Sequence, residues 1–321
     1  IRKVYHPLHF DKGYNFTLYF IFGGALLGFV LARLQYIDIA GVFCNPKSTT
    51  GSAAPGECYW YSMKLYHIGI TLHLGCILPA GFLAFFQFTP VIRHKFTLYH
   101  RTAGYVIVTL VLLANAGALI IAPHAFGGAL TTQAGVGLLA IVSTIGIFMA
   151  IYNIKRMQID QHRKWMLRTW AYMASIITLR LIMLAAARII SFSPSPPYQS
   201  VYCPEIVSVF EGSAAAAYHF YPACDPANAA LNPLNYVVVA ANLDGNPIEI
   251  GAAYSLAFSM SMWLALFMHV VGVELYIMLT PREHERLRRV SWERQMKRGY
   301  RNPGSAGLVP EMVGDMDPWT P

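Results

Sequence analysis

Four polar side chains lie deep inside long apolar stretches of the chain: His73, Asn115, Arg180 and His269. Helical rise of about 1.5 Å per residue, counted from the ends of those stretches, puts His73 and Arg180 each roughly 18 Å from a membrane edge. The same count gives about 16 Å for His269 and about 21 Å for Asn115. All four thus reach nearly one level, near the middle of a hydrocarbon layer ~30 Å thick. Ionisable groups at that depth are costly, turn toward the bundle interior and mark function by default. Arginine does not give up its proton, so Arg180 needs an acceptor. No Asp or Glu is expected at its depth, since Glu274 falls about 9 Å nearer the edge. A ligand or neutral oxygens would have to complete the site. Taken singly, His73 and Asn115 are explained as well by interhelical hydrogen bonds worth about 1 kcal/mol. Pro79 adds a kink one to two turns from His73, because it leaves the Gly75 carbonyl without its helical donor.

Two midplane imidazoles suit iron. The leading expectation is therefore an integral membrane redox protein or oxidoreductase that binds one haem b between its second and sixth helices. His73 and His269 would be the axial ligands, or His67 in place of one, with Arg180 and Asn115 beside the cofactor. Nearer one face, Arg33, Lys64, His67 and Arg188 form a cationic ring able to hold propionates, carboxylates or phosphates. Snorkelling toward headgroups explains the same four residues without a ligand. At the other face stand His100-Arg101 and His162-Arg163-Lys164-Trp165-Met166. As acid/base groups or metal ligands, His100 and His162 would serve a haem-free membrane enzyme acting on a lipid-like substrate. Interfacial anchoring is their alternative role. A transporter with a midplane His/Arg site and a subunit or assembly factor with a structural polar core complete the options.

The elements that must position these groups are six apolar runs, near 15–37, 62–88, 102–122, 131–154, 169–191 and 251–279. About 20 apolar residues suffice to cross a bilayer as a helix, so the fold class is an all-α integral membrane bundle of six transmembrane helices. Hydrophobic residues make up 55% of the chain and charged ones only 12%. Most of the 24 Lys and Arg residues collect in 1–13, 89–101, 155–168 and 280–321, and none falls in 192–250. Basic segments stay on the cytoplasmic side. Both termini are therefore expected there, with one long non-cytoplasmic loop, 192–250, between helices five and six. The net charge of +8 follows from this topology and from anionic lipid, so no nucleic-acid partner is needed. One transmembrane domain, 1–280, precedes a basic cytoplasmic tail, 281–321, with order beyond Asn302 expected only if the tail docks on the bundle. A short strand is expected in Tyr236–Asn242.

Four of the five cysteines, Cys44, Cys58, Cys203 and Cys224, fall in the predicted non-cytoplasmic loops, while Cys76 lies within the second helix. An even set on one side points to disulfides in an oxidising space, and hence to an endomembrane or the plasma membrane. Cys44–Cys58 with Cys203–Cys224 is the simplest of three connectivities.

The order His73, Gln87-Phe88, His100-Arg101-x-x-Gly104, His162-x-x-Trp165-Met166-x-Arg168 and Leu179-Arg180 resembles the predicted membrane proteins grouped as domain of unknown function 2306. The resemblance spans roughly 62–190 and implies a polytopic membrane architecture. A looser resemblance links the chain to cytochrome b561-like haem proteins, six-helix bundles that hold two haems between paired histidines. Here the third, fourth and fifth helices carry no interior histidine, so two such haems cannot be built.

Overall fold

A computed structural model describes residues 5–45, 47, 53–210 and 213–321; Arg2 and Lys3 of the first basic segment lie outside them. Six helices are long and apolar enough to cross a membrane: Gly13–Ile37, Lys64–Gln87, Thr97–Ile121, Leu130–Lys155, Ile159–Ser191 and Pro247–Met278. They are called here the first to sixth spans. Helices satisfy their own backbone hydrogen bonds, which is what a hydrocarbon layer demands. Large apolar side chains such as Phe20, Leu98, Leu181, Ile189 and Phe267 point outward and stay exposed, as suits a surface bathed by lipid. The chain is a multi-pass membrane protein.

Contacts divide the chain into two compact units, residues 1–136 with 177–262 and residues 137–176 with 263–321. In the first unit the second and third spans approach closely through small residues. A Cβ on Gly117 would lie 2.6 Å from both the Gly69 oxygen and the His73 nitrogen, and one on Gly69 would lie 2.7 Å from Ile120. Small residues permit this approach, and dispersion then holds the helices together where no hydrophobic effect can. Pro79 is accommodated inside the second span.

The long loop is ordered. Strand β1, Tyr198–Tyr202, pairs antiparallel with β2, Tyr236–Ala240, in the register Ser200↔Val238. The valine run thus forms a strand as expected, while β1 went unread. Val201, Ile206, Ala217, Val239, Ile248 and Ala252 make a small core beneath the strands. The Cys203–Cys224 disulfide fastens this loop, Cys44–Cys58 fastens the loop between the first and second spans, and Cys76 is unpaired. Closing loops of 14 and 21 residues stabilises each by about 3 kcal/mol in the chain-entropy picture.

In the second unit the helix Pro281–Lys297 leads into a tail that docks through backbone groups. The Gln158 amide donates to Gly304 O at 2.9 Å and accepts from Gly307 N at 3.1 Å. Asn153 Oδ1 accepts from Leu308 N at 2.8 Å, and Gln295 Oε1 from Gly304 N at 2.6 Å. Gly307 is required, since a Cβ there would lie 2.4 Å from the Gln158 side chain. Buried Arg288 pairs with Glu311.

Candidate functional site

Arg180 is placed by an aromatic surface. Its guanidinium lies 4.6 Å from the Phe126 ring centroid and 5.3 Å from that of Phe258. The two rings stack at 4.0 Å with planes 3° apart. Phe126 belongs to the short connection between the third and fourth spans and holds a left-handed backbone, φ 48°, followed by Gly127 at 74° and Gly128 at 62°. A non-glycine residue in that region costs roughly 1–3 kcal/mol. Its ring contacts and its amide offset the cost, for Phe126 N donates to Glu57 Oε1 at 3.0 Å.

Glu57 is the residue that depth counting missed. It opens the short helix Glu57–Tyr61 and is only 5% exposed. Ala54 N donates to its Oε2 at 2.9 Å and the Tyr61 hydroxyl to its Oε1 at 3.1 Å. Burial pushes the Glu57 carboxyl above its ordinary range, while the Phe126 and Ala54 amides and the Arg180 charge pull it back. Burial, and after it Glu57, lifts the Tyr61 phenol well above its usual value. Arg180 therefore does have a carboxylate within electrostatic reach. The sequence reading found none because it followed depth along helices, whereas Glu57 is brought in by a folded loop whose next residue, Cys58, is disulfide-bonded. Glu274, the nearest acid by that count, is taken by Arg168 through two bonds of 2.6 and 2.8 Å.

Glu57 lends its charge, yet the guanidinium keeps donors to spare. Its hydrogen-bond acceptor is the Met183 sulfur at 3.8 Å, a weak one, and among the described residues no oxygen accepts from Arg180.

His73 shares this unit and interacts electrostatically with Arg180. Its Nδ1 sits 3.0 Å from the Ala114 carbonyl. A carbonyl can only accept, so Nδ1 carries the proton and Nε2 holds the lone pair. Asn115, next to Ala114, has contacts of its own. His269 belongs to the second unit, where its Nδ1 lies 2.7 Å from Ala171 O. His162 is in the second unit too, with Nδ1 2.9 Å from Ala150 O; His100, in the first, is partly buried. Among the described residues, no three His, Cys, Asp or Glu side chains gather to hold a metal ion.

The cationic ring is unequal. Arg188 forms a bidentate pair with Asp244 at 2.9 and 2.8 Å. Arg33 lies over Phe29 and Tyr36. Lys64 is exposed at the start of the second span, and His67 Nδ1 meets Tyr61 O at 3.2 Å.

A second carboxyl group, also unread in the sequence, adjoins Glu57. Glu205 Oε2 accepts from the Trp60 indole at 2.9 Å, and Trp60 stacks on His124 at 3.7 Å. A signal for both acids was present: Glu57 precedes Cys58 and Glu205 follows Cys203 by two, so each is tied to a disulfide.

Residues 70–203 match the family model described as "Predicted membrane protein (DUF2306)". The DUF2306 match contains His73, Asn115 and Arg180 and agrees with the resemblance read from the histidine and arginine motifs. The chain is also similar to "Ava biosynthesis cluster protein G" of Aspergillus versicolor, at 23% identity over 84% of this chain and 90% of that protein. No solved structure matches.

Proposed function

We propose that this chain is a membrane-embedded enzyme that binds an oxyanion or carbonyl oxygen of a lipophilic biosynthetic intermediate at Arg180 and exchanges a proton with it through His73. The observation that carries this reading is the guanidinium: it lies within 4.6 and 5.3 Å of two aromatic ring centroids, is balanced by Glu57, and still has donors without an oxygen acceptor among the described residues. Fixed donors in a poorly hydrated site stabilise negative charge as it develops on a substrate oxygen. His73 is poised as a base, since the Ala114 carbonyl fixes its proton on Nδ1 and leaves Nε2 to accept one. Glu57 is a positioning residue that keeps the arginine electrically balanced and carries the loop to it. The relative's name supports a place in biosynthesis. This reading replaces the His100/His162 pair with His73 and Arg180 as the groups that meet substrate.

The test compares lipid-extract metabolite profiles of cells producing the wild-type chain and Arg180→Leu at equal protein level. The variant should accumulate a lipophilic precursor, with turnover reduced about 10²- to 10³-fold, the usual effect of removing one such donor. Identical profiles would sink the proposal.

A second reading keeps haem b. In His73 the Nδ1 contact to the Ala114 carbonyl selects the tautomer that would ligate iron through Nε2; His269, the second ligand expected from the sequence, belongs to the other unit. Haem would supply redox chemistry; the chain's part would be to orient the imidazoles. The purified protein would then show a Soret band that His73→Ala and His269→Ala each shift or abolish. A colourless protein with no extractable haem ends this reading.

A further inference from the structure

The first unit has a cavity of about 10 Å³ bordered by Pro55, Glu57, Gly127, Gln199, Glu205 and Ser255. That volume is on the order of one water molecule. Two carboxyl groups border it, and their surroundings differ. Glu57 accepts from two backbone amides and one phenol and feels the Arg180 charge. These donors and the Arg180 charge favour the anion, against the burial that pushes the Glu57 carboxyl upward. Glu205 has one donor, the Trp60 indole on Oε2, and no described residue donates to its Oε1. This oxygen lies so close to Gly56 that a Cβ there would meet it at 2.1 Å, and Gly56 itself holds φ 97°. Nearby, Gln199 Oε1 is buried and receives no hydrogen bond. Two residues that border the cavity thus each carry an oxygen to which no described residue donates, Oε1 of Glu205 and Oε1 of Gln199.

We propose that Glu205 is a protonated carboxylic acid at neutral pH, presenting its proton from Oε1 into the cavity toward Gln199 Oε1, directly or through one water. The proton removes a second negative charge from beside Glu57 and supplies the hydrogen bond that Gln199 lacks. An orphaned buried acceptor costs about 1–3 kcal/mol, and a pair of carboxyls sharing a site seldom both ionise. Burial pushes the Glu205 carboxyl upward, Trp60 opposes this, and the Glu57 charge adds to the rise. The ionisable groups facing Glu205 are Glu57 and Tyr59 of the helix Glu57–Tyr61; through Glu57 they extend to Tyr61 and Arg180. Gln199 and Ser255, from β1 and the sixth span, bring no charge.

This acid tunes the site proposed above, on which reading its role rests. Loss of the proton places a second anion beside Glu57, draws the guanidinium's field toward the carboxylates and weakens its hold on a substrate oxygen. Binding at Arg180 should fall as pH rises through the Glu205 titration.

Infrared spectra of the detergent-solubilised full chain read the proton without any substrate, so their outcome is independent of the proposed reaction. At neutral pH the wild type should show the carbonyl band of a protonated carboxyl group, fading as pH rises, and Glu205→Gln should lack it. Glutamine imitates the neutral acid, so this variant should fold. Absence of the band in the wild type, or its survival in Glu205→Gln, overturns the proposal. Should that variant fail to fold, Gln199→Leu serves instead: the band must change frequency when its partner is removed, and an unchanged band overturns the proposal equally.

Discussion

The Arg180 cluster and the docked tail are both built from buried polar side chains, and they differ in how completely their hydrogen bonds close. In the tail, Gln158 uses its whole amide. Nε2 donates to Asp160 Oδ1 and Gly304 O, and Oε1 accepts from Gln295 Nε2 and Gly307 N. Gln295 also donates to Arg156 O and accepts from Gly304 N. A network satisfied to this degree selects one docking geometry and offers nothing to a ligand. The Arg180 cluster, by contrast, leaves a guanidinium with only a sulfur acceptor and a glutamine oxygen with no donor. Closure is complete around Gln158 itself, whereas Asp160 Oδ2, His284 Nδ1 and Glu311 Oε2 at the edge of the same network have no hydrogen-bond partner among the described residues.

That contrast can be broken at its strong end. Gln158→Leu removes four hydrogen bonds and leaves Gly307 N without its acceptor, while Gly304 O keeps Arg288 and Gln295 keeps Arg156 O and Gly304 N, at a cost of about 3 kcal/mol. Limited proteolysis should then cut within 298–321, while the disulfide-bonded unit keeps its protection. A tail that stays resistant would mean that the amide network does not hold it.

A smaller effect is expected at the loosest point of the tail region. Asp160 Oδ2 and His284 Nδ1 stand 3.8 Å apart, too far for a hydrogen bond. Burial and the nearby Lys164 charge lower the His284 pKa, Asp160 opposing them. The sign follows from linkage. A histidine kept neutral in the fold takes up its proton more readily once released, so docking is complete above the ordinary imidazole value, about 6.5. Docking weakens as pH falls below that value. Tail protease sensitivity should rise on acidification in the wild type and change less in His284→Gln.

The least effect belongs to Arg188→Leu. Its pair with Asp244 is about half exposed on both sides, and such pairs contribute at most about 1 kcal/mol. Thermal unfolding should barely move, whereas Arg180→Leu should change the metabolite profile. Equal effects of the two variants would erase the distinction between a paired cation and one reserved for substrate.

Much of the fold was legible because lipid simplifies it. Long apolar runs with basic flanks gave all six spans, and the four loop cysteines paired by proximity in sequence. Arg180 and His73 stood out because a charge or an imidazole inside an apolar run has few reasons to be there. What remained hidden lay outside the periodic elements. Glu57 and Glu205 sit in loops, where depth cannot be counted from residue number. The docking of the tail rests on Asn153, Gln158 and Gln295 meeting backbone groups 139 to 155 positions away in sequence, and nothing in hydropathy encodes such pairing. Of the four groups expected at one level, His73 and Arg180 interact within the first unit and Asn115 follows Ala114, whose carbonyl His73 binds, while His269 belongs to the second unit.

Cys58 follows Glu57 directly, so the Cys44–Cys58 bond fixes the residue that balances Arg180. Oxidation thereby becomes a step in maturation. A chain already inserted but still reduced carries an arginine in its fifth span whose counter-charge rides on an unfastened loop. Thiol oxidation fastens the loop that carries the electrostatic balance, so the counter-charge of a buried arginine is held by a covalent bond formed outside the spans.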